Sequence, residues 1–201
     1  MPQMSLRRSY TLIAPLYDAL LATAGTGLRA ASLEQLPKEG NGNILISGIG
    51  TGLDIPYLPP GHRYTGLDIT EAMLQRAKAR IGTLDLDLVQ GDSTTLPFAD
   101  ECFDHVVLHL ILAIVPDARA CLKETARVLK PGGKVLILDK FLKPGETAWF
   151  KRTLNVLSQH LVTRLDVVFE RVLTTAPELK VEADVPVLAG GWFRSIRLAK
   201  D

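Results

Sequence analysis

The glycine run Gly48-Ile49-Gly50-Thr51-Gly52, set directly after the short apolar segment Asn43 to Ser47, constrains this chain more than any other feature. Glycines at alternate positions let the backbone turn back sharply and approach a ligand that side chains would exclude. The segment before them is too short for a helix and reads as a buried strand. The same alternation continues downstream. Tyr64 to Ile69, Leu86 to Gln90, Phe103 to Leu110 and Lys134 to Asp139 read as further strands. Phe103 to Leu110 is apolar except at Asp104, His105 and His109, the pattern of a strand covered on both faces in a parallel sheet. A helix is expected over Thr70 to Ile81, with Thr70 as N-cap and Met73, Leu74, Ala77 and Ile81 inward. A second helix carries Ala118, Cys121, Leu122, Thr125, Val128 and Leu129 at helical spacing, and Pro131-Gly132-Gly133 is expected to stop it. Strands alternating with helices across short turns specify an α/β, doubly wound sheet.

Both ends depart from this rhythm. Tyr10 to about Leu36 reads as helices ahead of the first strand. Phe150, Leu154, Leu157, Leu161, Leu165, Val168 and Val172 form a long amphipathic stripe, most simply core packing. Val181 to Leu188 and Trp192 to Leu198 then read as a C-terminal antiparallel hairpin joined at Gly190-Gly191. No linker-like tract interrupts the chain, so residues 1–201 are expected to form a single domain: a helical lid over 1–40, a core over 41–140 and a substrate side over 141–201.

Composition narrows the partners. The 201 residues carry 23 basic and 22 acidic side chains, for a formal charge of +1. That balance argues against a dedicated nucleic-acid binder, which needs a basic face. The two cysteines, Cys102 and Cys121, make neither a disulfide framework nor a metal-ligand set, and no bound metal is expected. The longest apolar run, Val106 to Val115, is about half of the roughly 20 residues that span a bilayer. Arg7, Arg8 and Ala22-Thr23-Ala24 imitate a secretion signal, but Pro15 and Asp18 interrupt its apolar centre. An amphipathic first helix and a cytoplasmic location are the expectation.

In an open α/β sheet, ligands bind at the carboxyl ends of the strands. The polar residues there are Asp68, 18 residues after Gly50, Asp92 in Gly91-Asp92-Ser93, and His109. A carboxylate in the place of Asp68 suits the two hydroxyls of a ribose. Asp92 has a second reading as a turn cap, His109 as a buried core histidine, and Tyr10 and Tyr17 as core aromatics rather than lid residues. A nicotinamide site would want a third glycine at position 53, which is Leu53, and a Tyr-x-x-x-Lys pair, which is lacking. A ligand without a pyrophosphate needs only the close backbone approach.

Taken together, Ala14-Pro15-Leu16-Tyr17-Asp18, Gly48 to Gly52, Gly66 to Leu74, Gly91 to Phe98 and Arg127 to Gly133 resemble class I S-adenosylmethionine (SAM)-dependent methyltransferases. The resemblance is to the ubiquinone/menaquinone and bacterial phosphatidylethanolamine N-methyltransferase branch and covers nearly the whole chain. It implies a seven-stranded Rossmann-like methyltransferase sheet with an N-terminal helical cap. It also implies SAM as cofactor, with Gly48, Gly50 and Thr51 against its methionine part, Asp68 on the ribose hydroxyls and Ile69 and Met73 flanking the adenine. Asp92 and Ser93 would meet the adenine amino end, and His109 the carboxylate and sulfonium. In the family an acid normally stands two positions before the first glycine and helps hold the ammonium group. Here that position is Ile46, with Asp54 or the Asp18 region as candidate replacements.

An imidazole titrates near neutral pH, so His109 is the first candidate to take a proton from the acceptor, and Tyr17 the second. Val115-Pro116-Asp117, Leu138-Asp139-Lys140-Phe141 and the glycine loop itself look more like the phosphatidylethanolamine branch than the quinone branch. Trp149 and Phe150 beside Lys151 and Arg152, with Arg164 and Arg171 further on, fit peripheral contact with an anionic membrane surface; Asp166 and Glu170 in the same segment fit a solvated helix face. Acceptors therefore range from a phospholipid amine to a quinone-type or other small molecule. The competing functions are a SAM-binding protein without catalysis and an NAD-dependent oxidoreductase.

Overall fold

The computed structural model describes residues 25–142, 167–188 and 192–201. Seven strands form one sheet in the order β3-β2-β1-β4-β5-β7-β6. β1 (Asn43–Ser47), β2 (Arg63–Asp68), β3 (Asp85–Gln90), β4 (Phe103–His109) and β5 (Leu129–Lys140) are mutually parallel. β6 (Leu179–Leu188) and β7 (Phe193–Lys200) close the sheet, with β7 inserted antiparallel between β5 and β6.

Successive side chains of a strand point to opposite faces, so a strand covered on both faces needs apolar residues at every position. β1 from Ile44 to Ile46 and β4 from Val106 to Leu108 follow this rule. Ile44, Ile46 and Val107 pack with Leu136 against Leu33 of α1 (25–33) and Leu74 and Ala77 of α2 (Glu71–Lys78). Leu45, Val106 and Leu108 pack on the other face with Cys121 and Leu122 of α3 (Ala118–Val128) and Phe169 and Val172 of α4 (Phe169–Leu173). The strand order reverses at β1, whose neighbours are β2 and β4, and the carboxyl ends of these three strands open onto one crevice.

The expected elements that fall within the described residues are present, most with shifted ends. β1 matches its expected bounds and α2 is shorter, ending at Lys78 after Thr70 as N-cap, with Met73, Leu74 and Ala77 buried. α3 ends at Val128 and β5 begins at Leu129, so Pro131-Gly132-Gly133 lies inside the strand range rather than before it. Glu101 N–H and Cys102 N–H bond to the last carbonyls of that helix, Arg127 O and Val128 O, and Phe103 pairs with Leu129. Backbone pairing, rather than the Pro-Gly-Gly turn, stops the helix there. Tyr10, Tyr17, Trp149, Phe150, Arg164, Gly190, Gly191 and most of the stripe from Phe150 lie outside the described residues.

Two details shape the crevice. Gly52 has φ +81, and a Cβ there would stand 3.0 Å from Ala77 Cα and 2.6 Å from Ile55 Cδ1, so glycine lets the loop close onto α2. On the other side, Leu110 turns at φ 57, its N–H donating to Leu138 O. The following segment is held by Asp139, fully buried at the end of β5, which accepts from Ala113 N–H at 3.0 Å and Lys140 N–H at 2.8 Å.

Burial is the strongest influence on Asp139 and outweighs those N–H donors, pushing its carboxyl from 3.8 up to about 6. Between these values the folded chain keeps a proton that the unfolded chain has released. The stability from this group is therefore complete below about pH 4 and is lost as pH rises to about 6, a change of about 3 kcal/mol. In urea unfolding, Asp139→Asn is expected to gain up to that amount relative to the parent between pH 4 and pH 7. Parallel stability profiles would rule this out.

Candidate active site

The crevice is lined at one end by Asp68, Ile69, Thr70 and Met73, along its floor by Gly48, Ile49, Gly50 and Thr51, and at the other end by Arg29, His109, Leu110, Ile111 and Ile114. The turn after β1 makes the floor. Gly48 N–H and Ile49 N–H both donate to Leu67 O, which folds the loop over the end of β2. Gly50 has φ +56 and donates its N–H to Asp68 Oδ2 at 3.0 Å. Thr70 N–H donates to Asp68 Oδ1 at 2.9 Å, so the carboxylate is oriented by the loop on one side and by the start of α2 on the other. Burial pushes the Asp68 carboxyl up, and the N–H groups of Thr70, Gly50 and Ile69 oppose that rise. A carboxylate held this way retains lone pairs for a diol.

The far end is a buried polar cluster. Asp54 Oδ1 accepts from Arg29 Nη1 at 2.7 Å and from His109 Nδ1 at 3.0 Å. His109 Nε2 lies 2.9 Å from Ser32 Oγ. All four residues are less than a tenth exposed. Burial alone would raise the Asp54 carboxyl, but the charges and hydrogen bonds of His109 and Arg29 prevail and hold it well below the usual carboxylate range. The order Ser32, His109, Asp54 has the spacing of a nucleophile–base–acid relay. Ser32 is 2% exposed and is absent from the crevice lining, so its hydroxyl has no route to a substrate carbonyl.

A model of the methyltransferase domain family matches residues 45–137. The chain is 34% identical to phosphatidylethanolamine N-methyltransferase of Cereibacter sphaeroides over 164 residues, covering 79% of this chain and 80% of that protein. The chain belongs to the SAM-dependent methyltransferases. It is also 35% identical to demethylmenaquinone methyltransferase of Lactobacillus johnsonii over 168 residues, which are 75% of this chain and 69% of that one. Among solved structures, a SAM-dependent methyltransferase of Thermotoga maritima superimposes with a TM-score of 0.72 at 19% identity, covering 97% of this chain and 99% of that chain.

The methyltransferase presents groups that fit SAM. The buried Asp68 carboxylate suits ribose hydroxyls, and Ile69 and Met73 supply apolar surface beside it. The expected site residues divide accordingly. Gly48, Gly50, Thr51, Asp68, Ile69, Met73 and His109 are brought together around the crevice, whereas Asp92 and Ser93 are outside its lining. Ser93 Oγ accepts from Ser47 Oγ at 2.8 Å, tying the loop after β3 to the end of β1. Asp92 Oδ1 accepts from Thr94 N–H and Thr94 Oγ1, the turn-capping arrangement. Ile46 is buried in the apolar core and does not face the crevice. Asp54, only a candidate replacement from the sequence, is the hub of the far end. Arg29 and Ser32 carry no local signal: both are helix residues far from every motif, and only the packing of α1 across the ends of β1 and β4 gives them a place in the site.

Removing Asp54 strands two buried cationic or polar partners, so Asp54→Ala is expected to lower the unfolding free energy by about 3–5 kcal/mol. Urea titration monitored by circular dichroism measures it. A loss below about 1 kcal/mol would show that the cluster is not held together through Asp54.

Proposed function

We propose that this methyltransferase acts on an amphiphilic acceptor, with the amine of a phospholipid as first choice and a quinone-type ring as second. The observation that carries the first choice is the similarity to phosphatidylethanolamine N-methyltransferase, which extends over 79% of this chain and 80% of that protein, against 75% and 69% for the menaquinone relative. Bound SAM supplies a methyl carbon already activated on a sulfonium. The chain's task is then chiefly positioning, which contributes on the order of 7–11 kcal/mol when two reactants are held in near-attack geometry.

In this reading Asp68 holds the ribose hydroxyls, Ile69 and Met73 flank the adenine, and Asp92 and Ser93 support its amino end through the turn after β3. Gly48, Gly50 and Thr51 receive the methionine part. An ammonium acceptor must lose a proton before it can attack, and His109 at the end of β4 is the proposed proton acceptor. Its Nδ1 is oriented by Asp54, and Ser32 occupies Nε2, so proton uptake requires Ser32 to yield that nitrogen. Tyr17 is the second candidate. The segment with Trp149, Phe150, Lys151, Arg152, Arg164 and Arg171 is proposed to meet an anionic membrane surface, keeping the protein cytoplasmic but peripheral. No helix among the described residues is long and apolar enough to cross a membrane.

Product formation from phosphatidylethanolamine, demethylmenaquinol and small amines is the deciding experiment. Methylated phosphatidylethanolamine is the expected product; turnover of the quinol alone would transfer the reading to the second class, and SAM binding without any product would leave a binding protein. His109→Ala is expected to lower kcat by more than it raises the Kd for SAM, and equal turnover would remove His109 from the mechanism. Flotation with anionic vesicles at low salt is expected to carry the protein upward, and no retention would end the membrane reading.

A further inference from the structure

Among the described residues, two other than glycine have positive φ: Glu101 at 52 and Leu110 at 57. A side chain in this left-handed region is strained, and a bulky one persists only where the surrounding structure imposes it. Glu101 lies exposed in a surface turn. Leu110 is pinned from both sides. Its N–H donates to Leu138 O at 2.8 Å, and the turn after it is tied down by Asp139 through Ala113 N–H at 3.0 Å. Glycine would take this conformation freely. Core packing does not explain the leucine. Its neighbours Leu108 and Leu112 are fully buried in one apolar cluster, whereas Leu110 belongs to neither cluster of described residues nor to the side chains packed against them. It is half-buried and lines the crevice, and so does Ile114, which is also outside both clusters. The two stand at the β4 end of the crevice, beside Arg29 and His109. The amino-acid end of SAM is charged and gains nothing from a leucine there; uncharged hydrocarbon does.

We propose that Leu110 is a specificity-determining residue of this methyltransferase: its side chain, with that of Ile114, packs against the carbon skeleton directly beside the nucleophile of the acceptor, and the left-handed backbone at position 110 is what aims it there. The surface so formed recognises uncharged carbon, either the methylenes of an ethanolamine group or the carbons of a quinol ring. The proposal rests on the amphiphilic-acceptor reading.

Two substitutions separate the side chain from the backbone. Leu110→Ala removes the side chain and keeps the strain, and Leu110→Gly removes both. With phosphatidylethanolamine in detergent micelles as acceptor, or demethylmenaquinol where the quinol is the one turned over, both variants are expected to lower kcat/KM about tenfold to a hundredfold, the range for a lost apolar contact with a substrate. Leu110→Met, which restores the apolar volume, is expected to recover most of that loss. Calorimetry with S-adenosylhomocysteine is expected to give all three variants a Kd within about twofold of the parent's, because the contact is with the acceptor. In urea, Leu110→Ala is expected to unfold near the parent's midpoint and Leu110→Gly above Leu110→Ala. Three results would overturn the proposal. Unchanged kcat/KM would remove the contact, and a loss of S-adenosylhomocysteine affinity as large as the loss of kcat/KM would make Leu110 a wall for the cofactor. A large fall in the midpoint of Leu110→Ala would make it a core residue. Failure of the unaltered protein to turn over either acceptor while it still binds S-adenosylhomocysteine would instead overturn the amphiphilic-acceptor reading, and the proposal with it.

Discussion

A single buried oxygen, Oδ1 of Asp54, joins the parts of this methyltransferase that must keep station around the cofactor crevice. It accepts from Arg29 on α1 and from His109 at the end of β4, while its own backbone follows the glycine loop that leaves β1. Three elements far apart in sequence thus converge on one acceptor. A carboxylate at this depth is costly unless its partners compensate: Arg29 does so with charge and a hydrogen bond, and His109 with a hydrogen bond. The same requirement sets the angle of α1 over the sheet, because the helix must present Arg29 to the crevice and Ser32 to His109 from adjacent turns.

The opposite end is governed by backbone rather than charge. Left-handed glycines turn the loop so that Gly50 N–H meets Asp68, and the carboxylate is aimed by the two segments it separates. Asp139 does comparable work one strand beyond β4, anchoring the segment whose Ile111 and Ile114 form the apolar wall. Ile111 also packs over Gly48, where a Cβ would stand 2.6 Å from its Cδ1, so wall and floor are fitted to each other. The charged and imidazole groups of this crevice among the described residues, Arg29, Asp68 and His109, are each oriented by hydrogen bonds, which suits an enzyme whose cofactor brings its own reactive carbon.

The matched domain, residues 45–137, supplies every lining residue of the crevice except Arg29. Relatives named for a phospholipid and for a quinone resemble this chain over most of its length. Shared sheet and glycine loop therefore do not choose between them. The choice belongs to groups that face the acceptor, and the scaffold is compatible with both.

The sequence by itself determined the sheet and its direction. Alternating segments, the apolar centres of β1 and β4, and the turn at the glycine loop, 18 residues before Asp68, are read from periods of 2 and 3.6 and from the conformations open to glycine, all of which are local. The antiparallel end of the sheet was legible too, though not the insertion of β7 between β5 and β6, because pairing order is decided by contacts between distant segments. Asp92 illustrates the limit from the other side: its strand-end position is plain in the sequence, but the hydrogen bonds from Thr94 that occupy Oδ1 are not. Only the tertiary structure decided the roles of Arg29, Ser32 and Asp54. Their meaning comes from a helix laid across the ends of two strands, which brings positions 25 and 77 residues apart within hydrogen-bond reach, and no local rule of spacing reports a contact of that kind.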